Sequence, residues 1–106
     1  TKEKVLESIK NTMDNNPSAA DYRKAALYYY EENINLDKAI EWIDIAFKDS
    51  DDLPYWQLRY KALINEKAGK INKAKKYAKK GYDLALKNNL PDGINTLKII
   101  YERLHN

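Results

Sequence analysis

Histidine, the side chain best suited to acid–base chemistry near neutral pH, occurs once, at His105, one position from the end of the chain. Chain ends are seldom held rigidly enough for catalysis. The hydroxyl nucleophiles are no better placed: Ser8, Ser18 and Ser50 have no base beside them in sequence, and their neighbours suit capping, turn or surface roles. Asp49, Asp51 and Asp52 crowd carboxylates into one loop, which invites calcium. That loop lacks the glycine and the closing glutamate of an EF-hand, so a turn and helix cap is the expected use. Glu31 and Glu32 form a carboxylate pair, but acid–base work needs a dry pocket that raises one pKa, and a solvated helix end does not provide it. Gly69, Gly81 and Gly93 stand apart and make no phosphate loop, and the absence of cysteine removes thiol catalysis, disulfides and thiolate metal sites. The expectation is a chain with no catalytic residue, no cofactor and no metal.

Charge carries more information. Residues 31 to 52 hold eight acids against Lys38 and Lys48, a net of −6, whereas residues 59 to 82 hold nine bases against Glu66, a net of +8. The chain is therefore bipolar although its total is only +3. Lys73, Lys75, Lys76, Lys79 and Lys80, interleaved with Tyr77 and Tyr82, form a candidate patch for an anionic partner, either nucleic acid or a membrane surface. Against nucleic acid, lysine outnumbers arginine 16 to 3, and an ordinary solvated helix face explains the lysines as well. The bias toward Lys, Asn, Ile and Tyr is also what AT-rich codons produce. A different use of the same charges is self-association into a homo-oligomer, the acidic third helix of one molecule meeting the basic fifth helix of another.

The elements that must position these groups read as helices throughout. Val5, Leu6, Ile9 and Met13 recur at helical spacing until Asn15-Asn16-Pro17. Ser18, able to accept a backbone N–H, and Asp21, favourably placed in the first turn, make an N-terminal capping arrangement and open a second helix that ends near Asn33. Asn35 caps a third, carrying Leu36, Ala39, Ile40, Ile43, Ala46 and Phe47 to about Lys48. Pro54 precedes a fourth helix over 55–68, stopped by Gly69 as a left-handed C-cap. A fifth runs from Ile71 to Leu86, and after Pro91 a sixth places Ile94, Leu97, Tyr101 and Leu104 on one stripe. At 106 residues this is one all-α domain whose core must come from helix faces. No apolar run approaches the roughly 18 residues of a membrane span. Because the chain begins at Thr1, it is expected to be a piece of a longer protein.

One helical sentence occurs twice, about 35 residues apart. Leu36, Ala39, Trp42, Ile43 and Ala46 return as Ile71, Ala74, Tyr77, Ala78 and Gly81, while the charges between them do not recur. With Leu58 and Ala62 in the preceding helix and Gly69 between, the pattern resembles the tetratricopeptide repeat. It departs from that repeat at Asn65, where an aromatic is usual, and in the displaced proline, Pro54. The resemblance implies a right-handed stack of about six antiparallel helices: an N-terminal helix in 1–16, repeats over 18–52 and 53–89, and a capping helix in 90–106. It also implies a non-catalytic interaction module in which the first helix of each repeat lines a concave groove for a peptide, a partner helix or a neighbouring domain. By position, those groove residues are Asp21, Lys24, Tyr28 and Glu31, then Trp56, Arg59, Tyr60 and Leu63. The chaperone-binding version of the groove has Asn where this chain has Tyr28 and Tyr60, so chaperone tails are not expected.

Residues 25–30, 36–44, Tyr55-Trp56, Lys61-Ala62 and Ala85 also resemble the helical C-terminal part of an uncharacterised bacterial family, domain of unknown function 2911, typical of Bacteroidetes. That likeness implies a fragment of an exported envelope or periplasmic protein; without it, a cytoplasmic protein is the default. It implies no activity.

Overall fold

The computed structural model describes residues 1–50 and 52–105. Asp51 of the acidic loop and Asn106 lie outside the described residues. The protein is all-α, with six helices, 78% helix and no strand among the described residues. The helices are α1 (Lys2–Met13), α2 (Ala19–Glu32), α3 (Leu36–Ala46), α4 (Tyr55–Lys67), α5 (Ile71–Lys87) and α6 (Pro91–Leu104). None is long and apolar enough to cross a membrane.

Local chemistry explains the boundaries. At α2 the capping box is complete: Asp21 N–H donates to Ser18 Oγ at 3.1 Å, and Ser18 N–H donates to Asp21 Oδ2 at 2.9 Å. Asn35 accepts from Lys38 N–H at the start of α3, and Pro91 occupies the first turn of α6, where its missing N–H has no cost. Three helices end alike, with a left-handed residue and paired reverse bonds. Asn33 (φ 55°), Gly69 (φ 80°) and Asn89 (φ 52°) each sit at such an end. The following residues, Ile34, Lys70 and Leu90, donate back to Tyr29, Asn65 and Ala85 carbonyls at 2.8–3.0 Å. Asparagine tolerates this conformation better than other side chains bearing a Cβ, so part of the chain's Asn content serves its helix ends.

The described residues fall into two compact units, one of residues 1–48 and one that starts at Asp49. In the first, α2 packs along α3, and the Tyr29 and Trp42 rings meet at 4.8 Å across the pair. Helix α1 rests on α2 and has no buried residue. In the second, α4, α5 and α6 all touch one another around Leu58, Ala62, Ala74, Ala78, Leu97 and Ile100. Two glycines set how closely these helices approach. A Cβ on Gly81 would lie 2.9 Å from Leu97 Cδ1 and 3.3 Å from Leu58 Cβ, and one on Gly93 would lie 2.8 Å from the Tyr55 ring and 2.9 Å from Ala85 Cβ.

Polar groups complete the second unit. Lys61, counted above among the bases of residues 59–82, is not on the surface: its side chain is 0% exposed and its Nζ donates to Asp49 Oδ1 at 2.7 Å. The Tyr77 hydroxyl lies 3.3 Å from the other oxygen of the same carboxylate, and the Lys61 ammonium stands 5.2 Å from the Tyr77 ring. The hydrogen bond from Lys61 holds the Asp49 carboxyl below its ordinary pKa, against partial desolvation that acts in the opposite sense. Asn65, at the position where an aromatic is usual, is also buried and donates to the Lys61 carbonyl at 2.8 Å. Arg103 of α6 grips Glu66 of α4 with two nitrogens, at 2.7 and 2.5 Å.

Candidate functional site

Asp21, Lys24, Tyr28 and Glu31 recur at steps of three and four along α2, so they share one face. Asp21 is bound into the capping box, and the Ser18 hydrogen bonds hold its carboxyl below the usual range. Lys24 and Glu31 are exposed, and Tyr28 is half-buried. Desolvation and then the Glu32 charge push the Tyr28 phenol above its ordinary pKa, so it remains a hydrogen-bond donor at neutral pH. Asp21, Lys24 and Tyr28, with Ala25, form one wall of a cleft of about 260 Å³. The opposite wall is α1, through Val5, Ser8, Ile9, Thr12 and Met13. Glu31 is not among the lining residues.

That cleft is apolar at its base with a cation and a carboxylate at the rim. Its volume falls below the roughly 300 Å³ at which small-molecule sites begin and suits one or two side chains of a peptide. On the other flank of α1, a wider opening of about 690 Å³ is lined by Leu6, Met13, Tyr22, Tyr29, Trp42 and Ile45, among others. The sequence predicts here only an N-terminal helix and places none of its residues at a site. Its signal was the stripe Val5, Leu6, Ile9 and Met13, which is apolar yet remains half-buried or exposed.

The residues expected on α4 divide differently. Trp56 and Tyr60 meet edge-on at 6.4 Å, and Arg59 lies over the Tyr60 ring at 5.4 Å. All three are half-buried. The Arg59 Nε is buried without a hydrogen-bond partner among the described residues, while the rest of the side chain covers the aromatic face. Leu63 packs against the core of its unit and so has a structural use.

The lysines of α5 separate into two groups. Lys73, Lys76 and Lys80 are exposed and lie within about 60° of one another around the helix at 100° per residue. Lys75, which is half-buried, and Lys79 lie to one side of them, and Lys79 is paired with Asp83 at 3.0 Å. The remaining residues with chemical promise have structural roles. His105 Nδ1 lies 2.8 Å from the Tyr101 carbonyl, so that nitrogen carries the proton, and its ring packs on Tyr101 at 4.1 Å. Ser50 accepts from Asp52 N–H in the acidic loop.

Comparison with protein-family models, with curated proteins and with solved structures finds no match to this chain. The functional reading therefore rests on the residues themselves.

Proposed function

We propose that the chain is a non-catalytic interaction module that holds a peptide or a partner's helix, with the α1–α2 cleft as its principal contact. The observation that carries this reading is the convergence of Asp21, Lys24 and Tyr28, three of the positions that the tetratricopeptide resemblance implies for a groove, on one apolar cleft walled by α1. Tyrosine offers contact area at low entropic cost, and Lys24 at the rim suits a carboxylate of the bound segment. Trp56, Arg59 and Tyr60 supply a second surface of similar chemistry on α4. A tetratricopeptide-like construction supports the same reading, since Ala26, Ala39, Ile43, Leu58, Ala62, Ala74 and Ala78 are all buried at the positions where that repeat requires close packing.

Selection from a random peptide display library, followed by titration of the winning peptides, tests the reading. Peptides with an apolar anchor beside a carboxylate are expected, at micromolar affinity. Tyr28→Ala with Lys24→Glu should weaken them about tenfold or more, the double variant being checked as folded by circular dichroism. Peptides that bind the variant and the parent chain alike would remove the cleft from the account.

A further inference from the structure

Beyond the cleft, we propose that the lysine face of α5 docks the acidic end of α2 of a second copy of this chain, joining molecules head to tail. Two places carry charge of the same sign as the helix end on which they sit. Helix α2 finishes in Glu31 and Glu32 with no base in its last turn, so two carboxylates stand where the helix dipole is already negative. Helix α5, with Lys70 as its N-cap residue, has no side-chain cap hydrogen bond and no acid in its first turn, and Lys73 occupies that turn where the dipole is positive. Each arrangement disfavours its own helix end, and each is relieved by a partner of opposite charge.

Most of the basic face lacks an internal counter-charge; of Lys73, Lys76 and Lys80 only Lys76 feels one, the Asp49 carboxylate that Lys61 already holds. Asp49 is held by Lys61, Glu66 by Arg103 and Asp83 by Lys79. Among the described residues, neither Lys73 nor Lys80 has a carboxylate within ion-pair distance, and both are exposed, as is Lys76. The three span about 10 Å of helix, enough to face Glu31 and Glu32 together. A total charge of only +3 leaves little net repulsion between copies, so opposite local patches decide the encounter. Because the two patches differ, the contact is heterologous and extends to short chains rather than closing as a symmetric dimer.

Charge reversal on the full chain separates this association from loss of folding. Lys73→Glu with Lys80→Glu places an acid in the first turn of α5, and Glu31→Lys with Glu32→Lys places bases in the last turn of α2. Both changes favour the monomer helix while removing the proposed contact. Sedimentation velocity at about 50 mM salt should show concentration-dependent association of the parent chain, weakened about tenfold or more at about 300 mM. Each reversed variant alone should be monomeric with undiminished thermal stability, and an equimolar mixture of the two should associate. A parent chain that stays monomeric to about 1 mM overturns the proposal. So does association that survives both reversals, or a mixture that remains monomeric. Loss of thermal stability in the reversed variants, with no association of the parent, also overturns it by assigning the charges to contacts within one molecule.

Discussion

The two units of this chain solve the same problem with different completeness. In the unit that starts at Asp49, three helices enclose Leu58, Ala62, Ala78, Leu97 and Ile100, and polar ties join α4 to α6 and the loop at Asp49 to α4 and α5. In residues 1–48, α2 and α3 pack closely, but α1 lies on α2 with no buried residue and leaves an opening along each flank. The difference lies in small residues. Gly81 and Gly93 let the helices of the second unit approach until a methyl group would clash. Helix α1 has neither glycine nor alanine, so its Val5, Ile9 and Met13 hold it away from α2. The second unit has openings of its own, of about 270 and 470 Å³, but they lie between residues 50–58 and the C-terminal half of α5, outside its three-helix core, whereas the openings of the first unit run along both flanks of a whole helix.

The largest expected effect is in the closed core. Leu97→Ala removes a side chain that is 0% exposed and should cost about 2–5 kcal/mol in denaturant unfolding, whereas Ile9→Ala on half-buried α1 should cost under about 1 kcal/mol. Equal costs would erase the distinction between the units.

Next comes the buried ammonium. Asp49→Ala strands Lys61 without its carboxylate and should cost about 1–3 kcal/mol, below the range for fully buried pairs because the Asp49 side chain is 58% exposed. Lys61→Met should be close to neutral, since it removes the charge and keeps the volume. The same pair sets a pH dependence. The Asp49 carboxyl titrates below its ordinary value in the folded state, so its contribution is complete above about pH 4 and is lost as the pH falls through the folded value. Acid unfolding of the Lys61→Met chain should lack that component.

A smaller effect is expected at Gly93. Its substitution by Ala gains helix propensity but pushes a methyl against the Tyr55 ring and Ala85, for a net cost of about 1 kcal/mol by thermal unfolding. A stabilised variant would show that close approach does not limit the second unit.

What could be read in the sequence is what is decided locally. Ser18 with Asp21, Asn35 and Gly69 act on residues within a turn of themselves, and each stands in the role expected of it. Lys61 was misleading because its partner is 12 residues away on a loop; a lysine beside many others reads as solvated until the fold brings a carboxylate to it. The α1–α2 cleft was half legible. Helical spacing puts Asp21, Lys24 and Tyr28 on one face, but which helix stands opposite depends on packing distance, which periodicity does not encode. Asn33 and Asn89 carried a usable signal, asparagine followed by an apolar residue at a helix end, that was absorbed into composition.

Amide hydrogen exchange, with and without a selected peptide, tests the central contrast most directly. Core amides of α4 and α5 are expected to exchange only through global unfolding, with α1 amides exchanging at least about a hundredfold faster, and peptide binding should slow exchange in α1 and the first turns of α2 while leaving α4 to α6 unchanged. Uniform protection across all helices, or peptide-induced protection confined to the second unit, would contradict the contrast between a loosely held α1 that receives a peptide and an enclosed three-helix core.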